Sequence, residues 1–162
     1  MFRRLAALAS PFVLAAVLAG CATPPTPPAT VTDTIARDPQ LSTLSKLIAQ
    51  AGLADTLRGA GPFTVFAPTD EAFRAVPART LADLSANPEL LRSTLTFHAV
   101  PGKVNAAAVE TGNVKSVQGA NLALSRAGTF VTVEDAVVQR ADIDASNGVV
   151  HVVDRVLLPP RR

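Results

Sequence analysis

The sequence predicts an α+β domain with an antiparallel β core, carried behind an export leader. Two observations predict the fold. Apolar residues recur at helical spacing between cap and stop signals in the first half of the chain. The second half breaks into short runs rich in Val, Ile and Thr, separated by Gly, Asn and Asp turns. Helices gathered early and strands gathered late argue for α+β layering. The chain has 162 residues, 48% of them hydrophobic, which suits one domain plus a leader.

Met1-Phe2-Arg3-Arg4 is a short basic start, and Leu5 to Ala19 is apolar apart from Ser10 and Pro11. A transmembrane helix wants about 20 apolar residues, and this run is shorter and holds a proline. Leu18-Ala19-Gly20-Cys21 follows. It resembles the lipobox of bacterial lipoproteins, which implies cleavage between Gly20 and Cys21 and a lipid on the Cys21 thiol. Cys21 is the only cysteine, so no internal disulfide or CxxC site can form. Residues 1–20 are then the signal peptide, and Cys21 anchors the chain in the lipid bilayer of the cell envelope. Ala22, rather than Asp, follows the cysteine, which favours the outer membrane in a Gram-negative host. Residues 21–34, rich in Pro and Thr, read as an extended tether reaching about 40 Å at about 3.1 Å per residue.

The domain is expected over residues 35–160. Asp38-Pro39 opens a helix with Asp as N-cap and Pro in the first turn. Leu41, Leu44, Leu47, Ile48 and Ala51 share one face, and Gly52 stops it. Thr69 caps a second helix, with Asp70 and Glu71 at its positive end and Phe73 inward. Thr80 with Asp83 resembles a capping box. Asn87-Pro88 opens another helix with Leu90, Leu91 and Leu95 as its apolar side. Strands are expected at 63–67, 114–118, 121–125, 129–133, 136–141 and 149–158. Arg126-Ala127-Gly128 reads as a hairpin turn, and Asn147-Gly148 as the turn into the last strand.

Three segments carry a family resemblance. Gly61 to Phe73 (GPFTVFAPTDEAF), Leu95 to Gly102 (LTFHAVPG) and Asn147 to Pro159 (NGVVHVVDRVLLP) resemble, in order, the signature segments of the fasciclin domain. Phe97 stands where the family usually has Tyr. The resemblance implies a β-wedge or sandwich of about seven strands with helices packed on it, and a role in adhesion or extracellular interaction. It supplies no catalytic residue set.

His98 is the most prominent polar residue of those segments. It reads either as an acid–base group or ligand, or as a buried structural hydrogen-bonder with Thr69 and Asp70 as its polar neighbours. His151, in the last strand, alternates with Val149 and Val153 and is expected to be partly buried or at an edge. Asp142 and Asp144 resemble a calcium loop only faintly, since an EF-hand needs more oxygen ligands; they read as a solvated turn. Without Arg3 and Arg4, thirteen basic side chains face thirteen acidic ones. No basic stripe is interleaved with aromatics, so nucleic acid is not expected as a partner. No nucleophile motif, metal motif or cofactor loop occurs. The sequence thus reads as a non-enzymatic module binding protein or matrix polysaccharide. A small-ligand or lipid carrier is the alternative.

Overall fold

The structure is a computed structural model and describes residues 29–160. Gly20, Cys21 and the signal peptide lie outside the described residues, as does the tether up to Pro28. No helix among the described residues is long and apolar enough to cross a membrane.

The tether read to Thr34 ends sooner. Helix α1 runs Val31–Arg37, capped by Thr30 in a capping box with Asp33. Its Val31 and Ile35 are fully buried. The Thr-rich composition hid this start, because Thr30 and Thr32 read as tether when they serve as cap and helix. Asp38 then caps a 3-10 turn, Pro39–Leu41, that leads into α2, Ser42–Gln50. A short α3, Ala54–Arg58, follows Gly52, whose φ of +66° suits glycine.

Strand β1 is Phe63–Pro68, followed by α4, Asp70–Ala75, with Thr69 as its N-cap. Helix α5 runs Ala78–Ala86 from Pro77, without a side-chain cap. The box expected at Thr80 does not form, because proline starts the helix earlier and leaves Thr80 inside its first turn. Asn87 caps α6, Pro88–Phe97, as predicted. Leu91 and Leu95 turn inward, but Leu90 is exposed.

The remaining strands are β2, Ala99–Pro101; β3, Gly112–Lys115; β4, Asn121–Ala127; β5, Phe130–Val133; β6, Ala136–Ala145; and β7, Gly148–Val153. They form one seven-stranded sheet in the order β2-β1-β7-β6-β5-β4-β3. The expected antiparallel core needs one correction: β1 and β7 pair in parallel, from Phe63 opposite Gly148 to Pro68 opposite Val153. The long connection between them, holding α4 to α6 and five strands, makes that direction possible. The sheet curls far enough that Val117, just beyond β3, donates to the Ala99 carbonyl of β2 at the other edge (2.7 Å).

The parallel pair is buried on both faces, as such pairs usually are. Val65, Ala67, Val150 and Val152 face one core with α1, α2, Phe73 and Leu91. Phe66 and Val153 face the second, inside the curl, with Phe97, Leu122, Leu124, Val133 and Leu157. The last strand ends at Val153, and in the segment that follows it Leu157 is buried in the second core while Val156 packs against the first. Asp142 and Asp144 sit within β6, not in a turn, where the pairing with β7 bulges between Arg140 and Ile143.

Candidate functional site

His98 is the C-cap of α6 and is 2% exposed. Its Nδ1–H donates to the Thr94 carbonyl (2.7 Å), and its Nε2 accepts from the Leu157 backbone N–H (3.0 Å). Its own carbonyl accepts from Phe66 N–H of β1 (2.9 Å). One residue thereby joins α6, β1 and the C-terminal segment. Both ring nitrogens are used in a single neutral tautomer. Burial pushes the imidazole pKa down to about 4, against the opposing pull of the Thr94 hydrogen bond. Such a group makes a poor acid–base catalyst at neutral pH, since it stays neutral and its lone pair is engaged.

Thr69 and Asp70 are not its partners. Thr69 Oγ1 accepts from Ala72 N–H within its own helix (3.1 Å). Asp70 reaches across to α2, where its carboxylate accepts from Ser42 Oγ and Thr43 N–H, both at 2.7 Å. It thus caps a second helix from outside. Desolvation opposes its ionisation, but the bonds from Ser42 and Thr43 outweigh that and hold the carboxyl below its ordinary value.

Three more polar side chains act as posts: His151 and Asn147, read from the sequence as a strand residue and a turn residue, and Thr64, which the sequence reading did not single out. His151 is 2% exposed in the middle of the sheet, not at an edge, because β1 and β6 flank its strand. It stacks on Phe66, accepts from Asp142 N–H at Nδ1 (3.2 Å) and donates from Nε2 to the Val104 carbonyl (2.7 Å). Thr64 Oγ1 donates to the Gly102 carbonyl and accepts from Val104 N–H. Asn147 donates from Nδ2 to the Leu57 and Gly59 carbonyls and accepts from Val31 N–H at Oδ1. Alternation placed His151 on its face, but no local signal told that Asn147 would reach three distant segments. Among the described residues, no group of three or more His, Cys, Asp or Glu side chains converges as metal ligands.

With these polar groups occupied inside the fold, the features open to a partner are surface grooves. One is built over the Asp38-Pro39-Gln40 turn. Two clefts of about 680 and 260 Å³ share Pro39 and Gln40. Arg37 and Arg140 line the first, and Gln139, Glu71 and Arg74 the second. Arg140 is held in place by Asp38 (2.6 Å) and the Gln40 side-chain carbonyl (3.1 Å). A separate cleft of about 520 Å³ lies between α6 and the β3–β4 loop, lined by Glu89, Arg92, Thr96 and Gln118.

The family model named Fasciclin domain matches residues 39–159. The chain belongs to the fasciclin domain family. The match covers the three signature segments and leaves out α1, which nonetheless packs into the fasciclin core. Protein sll1483 of Synechocystis sp. is 45% identical over 81% of this chain and 74% of its own length. The cell surface glycolipoprotein MPB83 of Mycobacterium bovis is 37% identical, over 76% of this chain and 57% of that protein. The transforming growth factor-beta-induced protein ig-h3 of Sus scrofa is 41% identical over 83% of this chain, but over only 20% of its own length. Among solved structures, a FAS1 domain pair from the insect cell adhesion molecule fasciclin I superposes with a TM-score of 0.63 at 19% identity. It covers 81% of this chain and 51% of that one, and shows the same fold. Relatives of this fasciclin domain thus include a protein named for the cell surface.

Proposed function

We propose that this protein is a fasciclin domain held at the cell envelope by an acylated Cys21, where it binds protein or matrix polysaccharide and performs no catalysis. The observation that carries the reading is the order of the chain: Leu18-Ala19-Gly20-Cys21 stands directly before a fasciclin domain. The cell-surface lipoprotein named among its relatives supports the same arrangement. So does the use of His98, His151, Thr64 and Asn147 as internal ties, which leaves surface grooves as the means of recognition. A carrier would need an enclosed apolar cavity; the clefts described above are open to solvent. Residue 22 is Ala, which favours the outer membrane where the host has one. With α1 starting at Val31, the ten residues from Cys21 to Thr30 can hold the helix no farther than about 35 Å from the lipid.

Two measurements test this. Mass spectrometry of the N-terminal peptide should show an acyl mass on Cys21, which Cys21→Ser loses together with membrane association. Beads coated with the full chain should adhere to surfaces bearing envelope protein or polysaccharide. An unmodified Cys21 in the wild type defeats the anchor, and beads that adhere to neither coat defeat the binding role.

A further inference from the structure

We propose that the groove over Pro39 and Gln40 binds an acidic polysaccharide, a chain bearing carboxylate or sulfate groups among its hydroxyls. The inference deepens the binding role proposed above and rests on it for the domain's exposure to such a polymer. The argument is one of hydrogen-bond capacity. Three arginines and three carboxylates lie along the groove, so its formal charge is balanced. The carboxylates, however, are mostly occupied. Asp38 gives one oxygen to Gln40 N–H and the other to Arg140. Asp70 gives one to Thr43 N–H and the other to Ser42. Only Glu71 is left as an acceptor.

The donors are mostly unused. Arg37 and Arg74 make no side-chain hydrogen bond or ion pair among the described residues, and both are exposed. Gln40 accepts from Arg140 through its carbonyl, which leaves its amide N–H groups free of partners there. Gln139 adds a second amide. A partner entering the groove therefore meets guanidinium and amide N–H groups and needs to bring oxygen acceptors, some of them charged.

The lining decides between partner classes. No aromatic residue lines either cleft, so an uncharged sugar would find no ring to stack on, and a protein would find none of the aromatic anchors that dominate interfaces. A shallow cleft beside Arg37 and a deeper one beside Arg74 meet at Pro39 and Gln40, a stepped surface that suits a flexible chain better than a flat lipid surface.

The test uses the full lipidated chain in detergent micelles, with polygalacturonate, dextran, and vesicles of phosphatidylglycerol in phosphatidylcholine as probes. Polygalacturonate should bind at least tenfold more tightly than dextran, and more weakly as salt rises. Arg37→Gln combined with Arg74→Gln should lower that affinity at least tenfold with the melting temperature unchanged. Arg79→Gln combined with Lys115→Gln, the same charge loss elsewhere, should leave it within twofold. Equal binding of dextran, an equal loss in both double variants, or capture by the anionic vesicles alone would overturn the proposal. Beads that still adhere to protein coats while polygalacturonate fails to bind would sink the groove's ligand and leave the broader binding role standing.

Discussion

His98 Nε2 accepts a hydrogen bond from the backbone N–H of Leu157, 59 residues further along the chain. That bond needs a neutral ring, because a proton on Nε2 would face the N–H head on. In the unfolded chain the imidazole titrates near 6.5, and in the fold burial lowers it to about 4. Above pH 6.5 the ring is neutral in both states and contributes its full stability. As pH falls from 6.5 towards 4, the unfolded chain takes up a proton that the fold excludes, and about 3 kcal/mol is lost. Denaturant midpoints measured across this window should fall with pH in the wild type. In His98→Gln the total loss across this window should be smaller by that amount. Equal slopes would show that His98 is not held neutral.

His98→Ala at neutral pH should lower the denaturation midpoint with the fold retained. It strands the Leu157 N–H and costs about 1–3 kcal/mol before any void is counted. Stability near wild type, with adhesion lost, would make His98 a functional residue instead.

Thr94, one turn before His98, carries a buried hydroxyl with no hydrogen-bond partner among the described residues. Its carbonyl is fully used, taking both the backbone N–H and the ring Nδ1–H of His98. Desolvating a hydroxyl without a partner costs about 1–3 kcal/mol. Thr94→Val keeps the shape and removes that group, so it should stabilise the domain by about 1 kcal/mol. A Thr94→Val variant that melts below wild type would show that the hydroxyl does have a partner in solution.

Asp70 caps α2 from another helix, so Asp70→Ala should destabilise by about 1–2 kcal/mol, the range for a lost cap. Thr69 should remain a local cap in that variant. The amide of Thr43 should exchange faster, while those of α4 should not. Exchange that quickens in α4 alone would reduce Asp70 to the helix-dipole role its position beside Glu71 suggests.

Local chemistry explains what was legible in the sequence. Caps at Asp38, Thr69 and Asn87 and the turn before Gly148 are set by neighbouring residues, so they could be read directly. The positions that failed depend on remote partners. Val31 is helical because β7 and α2 bury its face, against a Pro- and Thr-rich neighbourhood. The parallel pairing of β1 with β7 joins strands separated by most of the domain. Gly148 reads as a turn glycine, yet a Cβ there would collide with the Phe63 carbonyl of the parallel strand. The groove was invisible for the same reason, since Arg37, Arg74 and Gln139 come from three elements with no sequence spacing to link them.

Asn147 tests that distinction most directly. As a turn residue in the β6–β7 hairpin, it would tolerate Asp or Gly with little loss. In the fold its amide donates to Leu57 (2.7 Å) and Gly59 (3.0 Å), and its carbonyl accepts from Val31 (2.8 Å). Beside it, Ser146 N–H donates to the Ala29 carbonyl (2.9 Å), so the hairpin grips the start of α1 twice. Asn147→Ala removes three bonds and leaves their backbone partners unmatched, and it should destabilise by about 2–3 kcal/mol. Asn147→Asp keeps the acceptor for Val31 but turns a carboxylate oxygen towards the Leu57 and Gly59 carbonyls, so it should be no better tolerated than Ala. The loss should be local: amides of α1 and α3 should exchange faster, with those of β3 to β5 protected as before. If Asn147→Asp matches wild-type stability, or exchange rises evenly across the sheet, the residue is a turn former and not the clasp that joins α1 to the hairpin.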